Sequence, residues 1–174
     1  MFPDTYYFTP ESTVDEVVTT MLDNFEIKVT PELRAGFERQ GLSLYAAVTL
    51  ASIVEREAVV PEEQPLIASV FINRLRMGMK LEADPTVQYV LGLQGEGWWK
   101  APLSLADLEI DTPFNTYRYP GLPPTPIANP GLAAIRAVAF PAESTYLYFR
   151  AMCDGSGRHA FAETFEQHLL NACP

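Results

Sequence analysis

Apolar positions recur at helical spacing through most of this chain and give way to a strand-like run only near its end. Val14, Val17, Val18, Met21 and Leu22 form the expected inner face of an amphipathic helix that Ser12 or Thr13 can cap and that runs to about residue 24. Thr30 and Pro31 supply an N-cap and a first helical residue for a second, shorter helix. Ser43 opens the best-defined helix, from residue 44 to about 58, with Pro61 just beyond it. The next runs from about 62 to 77, carries Ile67, Val70, Phe71 and Leu75 on one face, and stops at Gly78. Asp84 and Pro85 read as cap and first residue of a short helix that Gly92 stops. Ser104 with Asp107 resembles a capping box, and Asn129-Pro130 starts a helix to about residue 139.

The chain opens on a strand-like aromatic segment, Phe2-Pro-Asp-Thr-Tyr-Tyr-Phe8, and starts as if cut from something longer. Residues 145–152 have clear strand composition, 154–157 form a turn, and 159–162 can return antiparallel. A last helix begins at Thr164. These elements predict a helix-rich α+β domain with a small antiparallel sheet that includes a C-terminal hairpin.

Composition narrows the function. The 174 residues suffice for one domain with its own core, and 48% are hydrophobic. A net charge of −10 with only 12 Lys and Arg argues against nucleic-acid binding, which needs a basic face. The two cysteines, Cys153 and Cys173, can pair, although fraying near the C-terminus is the default. Neither they nor His159 and His168 show metal-site spacing, so no metal or cofactor is expected. No apolar run is long enough to span a bilayer, and no signal peptide is present.

One residue conflicts with its helix. At about 100° per residue from Leu50, the positions Tyr45, Thr49, Ser52 and Arg56 form a narrow polar stripe, while Glu57 falls inside the apolar arc, between Ile53 and Leu50. Glu55 lies toward the arc's other edge. Burial and the C-terminal end of the helix dipole both raise a carboxyl pKa, and a carboxyl kept protonated is what protonates a glycosidic oxygen. The bland alternative is a Glu57 that turns outward or pairs with Arg56 or Arg74.

The run Ala51-Ser-Ile-Val-Glu-Arg-Glu57 is followed by Ala68-Ser-Val-Phe-Ile-Asn-Arg-Leu75, Gly78-Met79 and Asp84-Pro-Thr-Val87. Asn115-Thr-Tyr117, Gly121-Leu-Pro-Pro124, Ile127-Ala-Asn-Pro-Gly131 and Tyr146-Leu-Tyr-Phe149 come next. In this order and spacing, over nearly the whole chain, they resemble the endolytic murein transglycosylases of the YceG-like family. The resemblance implies cleavage inside peptidoglycan glycan strands, between N-acetylmuramic acid and N-acetylglucosamine, leaving 1,6-anhydro ends and ending strand elongation. It aligns the family's catalytic glutamate with Glu57. It also implies a membrane-anchored parent protein acting on the outer face of the cytoplasmic membrane, with a LysM-like domain ahead of the catalytic one and peptidoglycan synthases as partners.

Further roles stay open at this stage. Asn115 and Tyr117 are candidates for hydrogen bonds to sugar or for stabilising turns, and Tyr89 for stacking on sugar or for the core. Asp84 reads mostly as a cap, Asn73 and Arg74 as part of a structural ion pair, and Trp98-Trp99 as a weak candidate platform. The family commonly has a second glycine where this chain has Arg158, with His159 kept. A binding module and a lysozyme-type hydrolase are the rival classes, and the latter would need Glu55 or Asp84 as a second carboxylate.

Overall fold

The computed structural model describes residues 1–93, 95 and 97–173. Among them, helices α1 (Val14–Lys28), α2 (Pro31–Arg39), α3 (Leu44–Glu57), α4 (Gln64–Arg76), α5 (Asp84–Leu91), α6 (Leu105–Leu108) and α7 (Leu132–Ala139) precede strands β1 (Tyr148–Ala151) and β2 (His159–Ala162). Helix α8 (Phe165–Leu170) closes the chain, and a 3-10 turn at Pro61–Glu63 leads into α4. The predicted α+β class is the observed one.

Helix α7 is the hub. It packs on α2, α3 and α4, and its buried face of Ala134, Ile135, Ala137, Val138 and Ala139 is small enough to admit three neighbours. Leu50, Ile53 and Val54 from α3 and Ile67 and Phe71 from α4 complete the centre of the core. The sheet is a single antiparallel hairpin pairing Tyr148 with Ala162 through Ala151 with His159. Phe149 of β1 packs edge-on against Phe71, which seats the hairpin on α4. From the other side α8 lies over it, with Tyr148 against Phe165 and His168.

Caps explain most boundaries. Thr13, Thr30, Ser43, Ser104 and Thr164 each accept a backbone N–H in the first turn of their helix. Three expectations need correction. The first helix forms and runs four residues further than expected, but its apolar face is not inward: Val14 is 78% and Leu22 50% exposed. The aromatic opening is no strand; Phe2 is buried as a plug and accepts a hydrogen bond from Tyr6 at its carbonyl. Cys153 and Cys173 are disulfide-bonded, with Cα atoms 5.5 Å apart, so the C-terminus is tied to the hairpin rather than frayed. Smaller shifts move the cap of α5 to Ala83 and the start of α7 to Leu132.

The tightest helix contact gives a test. A Cβ placed on Gly36 of α2 would lie 2.8 Å from both the Cβ and the carbonyl oxygen of Ala139. Backbone cannot yield as a side-chain tip can, so overpacking of about 1–3 kcal/mol outweighs the roughly 1 kcal/mol of helix propensity that alanine adds. Gly36→Ala should therefore lower the melting temperature by several degrees, at roughly 2–4 °C per kcal/mol. An unchanged or higher melting temperature would contradict this packing.

Candidate active site

Helix α3 ends on Glu57, and its carboxyl opens into a cavity of about 280 Å³. One wall comes from the segment entering α5, with Leu81, Glu82 and Asp84, and from Tyr117. The other wall is the hairpin, with Phe149, Arg150, Ala151 and His159, and Arg74 of α4 lies between.

Each wall is pinned by hydrogen bonds. Thr116 clamps the segment before α5: its hydroxyl accepts the Ala83 N–H at 3.0 Å and meets the Thr86 hydroxyl at 2.9 Å, while its carbonyl accepts the Glu82 N–H. Glu82 takes a left-handed backbone, with φ 52°, at this crossing. Arg74 donates to the carbonyls of Leu147, Lys80 and Leu81 and pairs with Glu82 at 3.0 Å. It thereby ties hairpin, α4 and the α5 approach together. Asn73 adds two bonds to the Ser144 and Tyr146 carbonyls. The structural ion pair expected at this point is that of Arg74 with Glu82, and Asn73 shares the work of holding the hairpin.

The Glu57 carboxyl has no hydrogen bond or ion pair among the described residues. Part of its surface is open to the cleft, but protein atoms crowd the carboxyl on every other side, and they dominate its electrostatics. Desolvation first, and then the negative charge of Asp84, push its pKa up to about 8. Neither arginine rescues the charge: Arg56 stacks on Trp99, 4.0 Å from the ring centroid, and Arg74 is committed to Glu82. At neutral pH Glu57 is thus a protonated acid facing a cavity.

Asp84 is the main residue that the sequence reading undervalued. With the cap moved to Ala83, its carboxylate is free to point into the cleft, where it accepts the Tyr117 hydroxyl at 2.5 Å. Burial first, then that hydrogen bond and the nearby acids, raise the Tyr117 pKa and keep it a phenol.

Of the expected sugar contacts, Tyr117 is brought to the cleft and two are not. Asn115 is 0% exposed; its amide donates to the Leu108 and Ile110 carbonyls and its oxygen accepts the Tyr117 N–H. It shapes the turn that presents Tyr117. Tyr89 packs on Phe114 at 5.2 Å as part of the core. Trp98 and Trp99 lie outside the cavity lining, and Glu55 accepts the N–H of Gly131, the cap residue of α7, at 3.1 Å. No cluster of His, Cys, Asp and Glu with metal-binding geometry occurs among the described residues.

The chain belongs to the YceG-like family, whose pattern matches residues 1–173. It is 36% identical over 169 residues to a Bacillus subtilis protein named endolytic murein transglycosylase, covering 97% of this chain and 45% of the relative. A Streptococcus pneumoniae protein of the same name is 32% identical, with 98% of this chain and 31% of the relative aligned. The crystal structure of a yceG-like protein from Listeria monocytogenes superposes with a TM-score of 0.85 at 36% identity, covering 97% of this chain and 53% of that one. The chain thus spans about half or less of these relatives.

The state of Glu57 has a consequence for stability. Its folded-state pKa of about 8 lies above the ordinary 4.5, so between those pH values the native protein holds a proton that the unfolded chain releases. Stability from this residue is therefore lost as pH rises through that window. The melting temperature of Glu57→Gln relative to the parent should climb from pH 5 to pH 8; a constant difference would show a solvated, ordinary carboxyl.

Proposed function

We propose that this domain is the catalytic part of an endolytic lytic transglycosylase that cuts peptidoglycan strands between N-acetylmuramic acid and N-acetylglucosamine. The supporting observation is Glu57, an acid kept protonated by burial and by Asp84 at a cleft of sugar size. Membership of the YceG-like family and the names of the two relatives support the same reading.

In this reading Glu57 protonates the glycosidic oxygen as the bond to the anomeric carbon breaks. The muramic residue's own C6 hydroxyl attacks that carbon from within the same sugar and gives its proton to the Glu57 carboxylate left by the first transfer, which yields the 1,6-anhydro end and restores the acid. Intramolecular attack enjoys a high effective molarity, so no protein nucleophile or activated water is required. Tyr117, whose hydroxyl proton goes to Asp84, can accept a hydrogen bond from sugar at the rim, and Asp84 adds negative charge near the developing oxocarbenium ion. Neither a metal nor a cofactor takes part. The parent protein would be anchored by an N-terminal membrane helix with a LysM-like domain ahead of this one, would work outside the cytoplasmic membrane beside peptidoglycan synthases, and would end the growth of nascent strands. Among the described residues no helix is long and apolar enough to cross a membrane.

The presence of Asp84 in the cleft favours one rival, a hydrolase in which this carboxylate activates water. Product mass separates the two. Uncrosslinked strands should release internal fragments about 18 mass units lighter than hydrolysis products, through loss of one water. Glu57→Gln should reduce that release about 10²–10⁴-fold while remaining folded, and the parent's activity should decline above about pH 8 as the acid ionises. Glu55→Gln should keep most activity and lose stability instead, since it holds the start of α7. Hydrated reducing ends, or a near-parental Glu57→Gln, would reject the transglycosylase assignment.

A further inference from the structure

Trp98 has no part in the reaction above, yet its indole is 55% exposed on a segment that is held at several points. Trp99 packs against the core and carries the Arg56 guanidinium 4.0 Å from its ring centroid. Lys100 follows, with its carbonyl accepting the Gln88 side-chain amide at 2.8 Å and its ammonium bonded to Asp107 at 2.6 Å. Trp99 takes a left-handed backbone, φ 67°, which a bulky residue adopts only where its surroundings impose it. The ring of Trp98 rests against Gly92, the C-cap of α5: a Cβ placed there would lie 3.6 and 3.7 Å from two of its atoms. The exposed indole is thus propped on backbone.

Both anchors of this platform lead back to the acid. Arg56 immediately precedes Glu57 on α3. Helix α5 starts at Asp84 in the cavity wall, and its eight residues end beside Trp98, about 12 Å further on at about 1.5 Å per residue. That distance is the reach of a short oligosaccharide, not of a single sugar. The cavity itself, about 280 Å³, is at the small end of ligand sites, which run from about 300 Å³ upward. A strand cut in its interior continues past such a cavity on both sides, so its further sugars need contacts outside it. Pyranose rings present axial C–H groups, and the negative face of an indole receives them. With a net charge of −10 the chain has no general electrostatic hold on an anionic strand, so contacts of this kind carry weight.

We propose that Trp98 is a distal sugar-binding subsite that stacks on a hexosamine ring of the glycan strand outside the catalytic cavity, with Arg56 and Trp99 holding the platform in place. This rests on the transglycosylase reading for the identity of the strand. The subsite supplies binding away from the bond that breaks. It therefore acts on KM more than on kcat, and only for strands long enough to reach it.

The test titrates the parent, Trp98→Leu and Trp98→Phe with the disaccharide and the hexasaccharide of N-acetylglucosamine, following intrinsic fluorescence. KM and kcat are then measured on long uncrosslinked glycan strands, with product masses and thermal melts. The chain has 2 tryptophans, and Trp99 is half-buried against Arg56, so a change in exposure on binding reports on Trp98. The hexasaccharide should shift the parent's emission to the blue and bind it about 3–10-fold more tightly than Trp98→Leu, whereas the disaccharide should not distinguish the two. Trp98→Phe, which keeps a flat ring, should fall between them. On strands the KM of Trp98→Leu should rise by a similar factor, with product masses as in the parent. Leucine keeps an apolar contact with Gly92, so a merely structural role would leave Trp98→Leu at parental affinity. Equal hexasaccharide affinity in the parent and Trp98→Leu, or an equal loss for the disaccharide, would overturn the subsite. Should Trp98→Leu unfold, a parent whose emission does not respond to the hexasaccharide would overturn it equally. A Trp98-dependent dimer in sedimentation, with no response to sugar, would assign the indole to a second copy and overturn it too. Hydrated ends from the parent would reject the transglycosylase reading alone, because the binding arm requires no cleavage.

Discussion

A carboxylic acid that keeps its proton at neutral pH, yet faces an open cleft, meets opposite demands in one side chain. Water all round the group would ionise it, while complete enclosure would cut it off from the cleft. The fold meets both demands by placing Glu57 on the last residue of α3, where the helix core excludes water behind the carboxyl and the chain's departure leaves space in front. Asp84 then adds a like charge without touching it, since its own hydrogen bond goes to Tyr117. The nearby cations could have reversed this logic. Instead, the guanidinium of Arg56 is occupied by Trp99 and that of Arg74 by Glu82 and three carbonyls.

The cleft walls are made of connections rather than of regular elements, and so they need bracing. Thr116 and Asn115 brace one wall by bonding backbone that would otherwise be loop. The hairpin wall is held by Asn73 and Arg74 at its entry and by α8 on its outer side, where Arg150 donates to the His168 carbonyl at 3.3 Å. The disulfide joins the turn after β1 to the residues after α8, so the short helix cannot drift from the strands it covers. At the tip, Gly157 runs so close to Val59 that a Cβ there would fall 2.8 Å from its Cγ1. The chain leaving α3 and the turn that precedes His159 are thereby packed together.

Local signals in the sequence were enough for the helices, because caps and apolar spacing act within a few residues. The same signals misjudged α1: its apolar spacing is real, but periodicity states which face is apolar and not what covers it. Glu57 stood out since its conflict with the helix face is local. Asp84 did not, because an Asp-Pro pair reads as a cap, and a shift of one residue to Ala83 turns the same carboxylate toward the cleft. Asn115 and Tyr89 were polar or aromatic residues inside motifs, and only the three-dimensional paths of their bonds show one bracing a turn and the other filling the core. The hydrogen bond between Glu63 and His159 was beyond sequence reach: 96 residues separate the two, and neither is unusual in its own neighbourhood.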